Sequence, residues 1–247
     1  MKINAWSISE IGHTRKSNQD YVGQFPELNL FIVADGMGGH ADGDVASRMA
    51  VEVIHAFVSS AAGIPGGASD PDCLSRAVES ANRRIHEEGE RTTTQQSSTR
   101  PLGTTVVALK VDLDACRAFW VHVGDSRLYR LRDRELTLLT ADHTLFGQEY
   151  WGKDSIPINL PHTNRLVQAL GINEHVEASA GCDAIVAGDL YLLCSDGVSG
   201  QLDAAVMQRE LTATDSLQEA GEALIRRSLD AGGRDNASAV LVRVLGN

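Results

Sequence analysis

Leu30-Phe31-Ile32-Val33-Ala34 runs without interruption into Asp35-Gly36-Met37-Gly38-Gly39. An unbroken apolar run of that length, closed by glycines, reads as a strand buried on both faces. Its last apolar residue is followed by a carboxylate, so a charge is set where water is scarce. The pattern recurs twice. Leu190-Tyr191-Leu192-Leu193-Cys194-Ser195 runs into Asp196-Gly197, and Gly232-Gly233-Arg234-Asp235-Asn236 leads into Ala237-Ser238-Ala239-Val240-Leu241-Val242. Carboxylates brought together at the ends of buried strands repel one another unless a cation lies between them. The three segments therefore point to a site for hard divalent metals, built from aspartates.

Working outward, composition narrows the class. The 247 residues suit a single domain, residues 1–247, with 43% hydrophobic side chains to fill a core. The net charge of −11 sets the surface against nucleic acid, and no run of Lys or Arg overrules it. Cys73, Cys116, Cys182 and Cys194 form no C-x-x-C pair, which argues against a zinc knuckle or a redox motif. The first residues lack the apolar stretch of a signal peptide, and no run approaches the ~20 apolar residues of a membrane helix. The expectation is a cytoplasmic protein with reduced thiols, not inserted in a membrane, and a monomer.

Strands are expected over residues 2–8, 28–34, 104–111, 116–123, 127–132, 136–139 and 237–245. The short connections in the middle imply antiparallel neighbours. Ala46, Met49, Ala50, Val53, Ile54 and Phe57 recur at helical spacing over 44–60, with Asp44 as the expected cap. A second helix is expected over 72–90, followed by a polar surface loop from Arg91 to Arg100. One or two helices are expected within 203–229. Residues 141–181 read as a long irregular excursion. Helices around an antiparallel centre make this an α+β layered fold.

Arg15-Lys16-Ser17-Asn18-Gln19-Asp20 places a phosphate-matching guanidinium five residues before a carboxylate, although alone it reads as a polar turn. Other phosphatase chemistries fit poorly. Asp112-Leu113-Asp114-Ala115-Cys116 has the spacing of a D-x-D nucleophile but sits in a tight hairpin turn. A cysteine phosphatase needs Arg six residues after Cys, and the four positions hold Glu79, His122, Gly188 and Gly200. Ser195 is not framed by G-x-S-x-G.

Taken in order, Arg15-x-x-Asn18-Gln19-Asp20, Asp35-Gly36-Met37-Gly38-Gly39-His40, Gly103-Thr104-Thr105, Gly124-Asp125-Ser126-Arg127, Thr140-Ala141-Asp142-His143, Ser195-Asp196-Gly197 and Gly232-Gly233-Arg234-Asp235-Asn236 span nearly the whole chain. The ordered set resembles the metal-dependent serine/threonine phosphatases of the protein phosphatase 2C family, in their compact bacterial form. The resemblance implies an α+β sandwich of two antiparallel sheets with helices on both outer faces, and a flap at about 146–170 beside the active site. It implies two Mn²⁺ or Mg²⁺ ions per site and, in bacterial members, a third, weaker ion. Asp35 is then the bridging metal ligand, with the Gly36 carbonyl beside it; Asp196 and Asp235 complete one metal, and Asp125 helps hold the third. Asp20 orients water, and Arg15 binds phosphate. A hydroxide held between the metals would attack phosphorus in line, with no covalent phosphoenzyme. The implied partners are phosphorylated proteins, substrates of a serine/threonine kinase. A binding module without activity and a regulatory phosphatase devoted to one partner are the competing readings.

Two positions depart from the resembled pattern. Met37 stands where some members have a histidine thought to be a general acid, leaving His40, a metal-bound water or no dedicated acid in that role. Gln19 stands where many members have Glu, so any metal contact from there is weak or through water.

Overall fold

The computed structural model describes residues 1–37, 43–64, 70, 72–96, 102–145, 147 and 165–246, the side chains of 93–96 excepted. Two antiparallel sheets lie face to face. The first has the order β1-β11-β10-β7-β8, from Lys2–Glu10 (β1), Ala237–Leu245 (β11), Leu190–Cys194 (β10), Arg127–Arg132 (β7) and Glu135–Leu138 (β8). The second has the order β2-β3-β5-β6-β9, from Asp20–Phe25 (β2), Leu30–Met37 (β3), Val106–Asp112 (β5), Arg117–Val123 (β6) and Ser179–Ala184 (β9), with the short Gly103–Thr104 (β4) pairing to β3.

The unbroken apolar runs follow from burial on both faces. Phe31, Val33, Val107 and Leu109 of the second sheet meet Leu128, Tyr191, Leu193, Val240 and Val242 of the first, forming the layer between the sheets. The alternate residues Leu30, Ile32, Ala34, Val106 and Ala108 point outward onto Gly43–Ala62 (α1) and Cys73–Gln96 (α2). On the opposite side Leu190, Leu192, Ala239 and Leu241 pack beneath the short Asp196–Ser199 (α3), Ala204–Thr212 (α4) and Leu217–Asp230 (α5). One strand residue in two thus serves each core, which is why no polar alternation appears in the sequence. Asp203 and Ser216 cap α4 and α5 by accepting the N–H of Val206 and Glu219.

Several expectations are corrected. The stretch expected as a loop from Arg91 is helical to Gln96, so α2 is longer than its apolar face. There Thr92 turns its hydroxyl back onto the carbonyls of Glu88 and Gly89, and Arg91 pairs with Glu88. Asp44 lies inside the first turn of α1, 3.5 Å from Arg48, because the helix already begins at Gly43. Residues 26–28 form a 3-10 turn, and the strand begins at Leu30. The strands β2 and β9 were not expected; β2 breaks its apolar pattern at Gly23 and Gln24, and β9 consists mainly of small and polar residues. Asp112 does sit in a turn, its Oδ1 accepting the N–H of Asp114 and Ala115.

Most of the expected flap, with Tyr150, Trp151, Pro157 and Pro161, lies outside the described residues, as does His40. Both ends of the excursion are anchored. Leu145 donates to the Arg165 carbonyl, Val167 to that of His143, and Leu170 and Thr104 exchange backbone hydrogen bonds. No helix among the described residues is long and apolar enough to cross a membrane.

Candidate active site

The fold gathers the predicted acids at one end of the sandwich. Asp20 opens β2 and lies opposite Asp35 across the β2–β3 pair. Asp125 follows β6, Asp196 follows β10 by two residues, and Asp235 precedes β11 by two. Five carboxylates distant in sequence thus converge because their strands run with the required polarity in two facing sheets.

Gly36 lies where β3 meets the start of α1. A Cβ there would come 2.0 Å from the Gly43 carbonyl oxygen and 2.7 Å from that of Gln19, so only glycine permits the approach. The Gly36 N–H donates to the Gln19 carbonyl at 3.0 Å. The Gln19 amide Nε2 is buried and has no hydrogen-bond partner among the described residues.

Asp20 is buried, and its two oxygens differ. Oδ2 accepts hydroxyl hydrogen bonds from Ser195 and Ser238, each at 2.7 Å, while Oδ1 has no partner among the described residues. Ser238 lies in β11 of the first sheet and Ser195 directly follows β10, while Asp20 belongs to the second, so this carboxylate also ties the sheets together. Burial, followed by repulsion from Asp196 and Asp235 and opposed by the two serines, lifts its pKa to about 6.

The other acids behave alike. Burial raises Asp35 well above the usual carboxylate range, with repulsion from Asp20, Asp196, Asp125 and Asp235 added. Burial and then Asp196 lift Asp125 to about 7. Burial and Asp235 raise Asp196, against a hydrogen bond with the Asp35 carboxyl. Asp196 Oδ1 is another buried oxygen without a partner among the described residues.

Arg15, half exposed, reaches across the mouth to Asp235, with Nη2 2.6 Å from Oδ2. Asn236 organises the same corner: its Oδ1 accepts the Gln19 N–H, and its amide donates to the carbonyls of Ile11 and Ser17. Met37 ends β3 and offers no proton.

The donor set suits a divalent cation. It is all oxygen, carries negative charge in excess, and includes buried oxygens without a partner among the described residues, a set suited to a hard divalent cation. Among the described residues no three His, Cys, Asp or Glu side chains stand grouped as a finished ion site. In this arrangement Asp235 is turned onto Arg15, 2.6 Å away.

Ser195 and Ser238, which hold Asp20, were missed as site residues. The signal for them was present: each interrupts or ends an apolar strand with a hydroxyl that must find a buried partner. Asp142 and His143 have a scaffold role in the structure. Asp142 receives both Nε and Nη2 of Arg127, and His143 packs beside His122 with ring centroids 4.5 Å apart.

Comparison with known proteins places this geometry among relatives. The sequence model described as protein phosphatase 2C matches residues 12–246. Protein phosphatase PhpP of Streptococcus pneumoniae is 31% identical over 242 residues, covering 95% of each chain. The serine/threonine phosphatase PstP/Ppp of Mycobacterium tuberculosis superposes with a TM-score of 0.84 at 29% identity over the full length of both chains. The catalytic domain of a serine/threonine protein phosphatase PstP in complex with two manganese ions superposes with a TM-score of 0.80 at 31% identity, covering 99% of each chain.

Proposed function

The chain belongs to the protein phosphatase 2C family, and from that membership we propose how its acidic cleft acts on phosphoproteins. It is a metal-dependent serine/threonine protein phosphatase, a phosphoric monoester hydrolase with a dinuclear metal site. The observation that carries the residue assignment is the convergence of Asp20, Asp35, Asp125, Asp196 and Asp235 at one end of the sandwich, with buried oxygens left without partners.

In our reading Asp35, the Gly36 carbonyl, Asp196 and Asp235 would hold the two ions. Asp125 serves a third, weaker position. The ions are Mn²⁺ or Mg²⁺, and when bound they supply positive charge to the phosphoryl oxygens and acidify water. The rest falls to the chain. Asp20, with Oδ2 held by two serine hydroxyls, offers Oδ1 to orient the attacking water and accept its proton. Arg15 exchanges Asp235 for the substrate phosphoryl group, to which its planar guanidinium is matched. Water then attacks phosphorus in line, opposite the leaving serine or threonine oxygen. Met37 cannot protonate that oxygen, so the proton comes from water or from the segment that carries His40.

We further propose that residues 1–247 act as one catalytic unit, a cytoplasmic monomer that reverses the work of a serine/threonine kinase in signalling. The flap at about 146–170 belongs to the same unit in this reading. Hydrolysis of a phosphothreonine peptide by the purified chain, with chelator and then with Mn²⁺ or Mg²⁺ restored, tests the proposal. Activity only with metal supports it. A chain that binds the phosphopeptide in Mn²⁺ but never releases phosphate would be a binding module instead.

A further inference from the structure

Gly103-Thr104-Thr105 and Asp142-His143 have no part in the chemistry above, yet both bear on the turn that carries Asp125. Thr105 is 1% exposed. Its Oγ1 accepts the Asp35 N–H at 3.1 Å and lies 2.7 Å from Ser126 Oγ, and its own N–H donates to the Asp35 carbonyl at 2.8 Å. One residue therefore grips the backbone of Asp35 twice and shares a hydroxyl hydrogen bond with the neighbour of Asp125. From the other side, the His143 N–H donates to the Gly124 carbonyl at 2.9 Å, and the Gly124 N–H faces His143 Nδ1 at 3.4 Å. Gly124 has φ +101°, and a Cβ there would lie 2.6 Å from Thr105 Cγ2, so the turn is seated directly on the threonine.

The sheet order shows why such a link matters. Asp35 is on β3 and Asp125 follows β6, but β5 lies between these strands. No direct backbone ladder joins the segments that carry the two acids; they are linked only through β5. Thr105 immediately precedes β5, the intervening strand, and its branched Cβ restricts the hydroxyl to few positions.

We propose that Thr105, acting through Ser126, is a positioning residue that sets the Asp125 carboxylate against Asp35, so that both are presented together to divalent cation. The inference rests on the metal reading above and adds residues that touch neither metal nor substrate.

The test is calorimetric titration of Mn²⁺ into the metal-free chain, for wild type, Thr105→Val, Thr105→Ser and Ser126→Ala, with kcat and KM for p-nitrophenyl phosphate measured alongside. Removing the hydroxyl while keeping the shape, as in Thr105→Val, should weaken Mn²⁺ binding about 10- to 100-fold, the range found for residues that orient metal ligands. Ser126→Ala should shift it in the same direction. Thr105→Ser keeps the hydroxyl and should bind within about threefold of wild type. Wild-type Mn²⁺ affinity in Thr105→Val and Ser126→Ala would overturn the inference, as would equal loss in Thr105→Ser and Thr105→Val. If Thr105→Val does not fold, Ser126→Ala decides, since it leaves both backbone contacts of Thr105 intact. Failure of wild type itself to bind Mn²⁺ would overturn the metal reading, and this inference with it.

Discussion

The two ends of β10 treat carboxylates in opposite ways. At its start, Asp189 is fully buried and receives Arg132 through both Nε and Nη2 at 2.7 Å, with the Val186 N–H on Oδ2 at 2.8 Å. Nearby, Asp183 of the facing sheet pairs with Arg130. At its finish, Asp196 joins Asp20, Asp35 and Asp125, and buried oxygens of Asp20 and Asp196 have no partner among the described residues. The arginines at that end are engaged elsewhere, Arg15 with Asp235 and Arg127 with Asp142. This sandwich can supply a guanidinium to a buried acid and does so where the role is structural. At the other end Arg15 reaches only Asp235, and the buried acids Asp20, Asp35, Asp125 and Asp196 share a negative field that a bound proton or a cation from solution relieves.

The comparison would break most visibly on neutralising one acid at each end. Asp35→Asn and Asp196→Asn should each lower kcat by on the order of a thousandfold or more, through loss of charge stabilisation in the transition state. Removing like-charge repulsion should leave their metal-free melting temperatures unchanged or higher. Asp189→Asn should do the reverse, leaving kcat intact and destabilising the fold by about 3 kcal/mol, because Arg132 loses its charged partner. Steady-state kinetics and urea unfolding of the three variants check this; a stability loss in Asp35→Asn as large as in Asp189→Asn would dissolve the distinction.

Titration sharpens it. Asp20 and Asp125 have folded-state pKa values raised to about 6 and about 7 from 3.8. The folded chain therefore holds protons that the unfolded chain has released, and stability falls as pH rises from about 4 through about 7. In chelator the melting temperature should drop across that window. With Mn²⁺ the drop should be reversed at the upper end, where the carboxylates are free to bind. A chelated melting temperature that climbs steadily from pH 5 to pH 8 would contradict the reading.

The smallest effect is expected at Arg15. Arg15→Ala should raise KM for a phosphopeptide about tenfold, the worth of a charge-assisted contact, with a lesser change in kcat. An unchanged KM would assign the guanidinium to Asp235 alone.

Much of this site was readable because buried strands leave a strong mark. The runs before Asp35 and Asp196, and the one after Asp235, are apolar on both faces, and the carboxylate at the end of each stands out against them. The helix α1 was readable from its periodic face, whereas α4 and α5 were legible only as one or two helices within 203–229. What failed was local signal that tertiary contact overrides. The strand β9 is built of Ser, Ala, Gly, Cys and Asp, and nothing in that composition favours a strand; its place beside β6 does. The Thr- and Gln-rich end of α2 has weak helix propensity but extends a helix already nucleated by its buried face. Ser195 and Ser238 were marked as hydroxyls in apolar runs, but their role, like that of Thr105, depends on a partner 70, 175 or 218 residues away that only the fold supplies. Convergence of the five acids was likewise invisible to periodicity, being a property of strand order; the family resemblance supplied it.

The most direct test of the withheld counter-charge is the count of ions bound by the metal-free chain at equilibrium with Mn²⁺, measured in parallel for wild type, Asp35→Asn and Asp189→Asn. The account predicts at least two ions per wild-type chain, the same number in Asp189→Asn, and fewer than two in Asp35→Asn. Equal numbers in wild type and Asp35→Asn would contradict it.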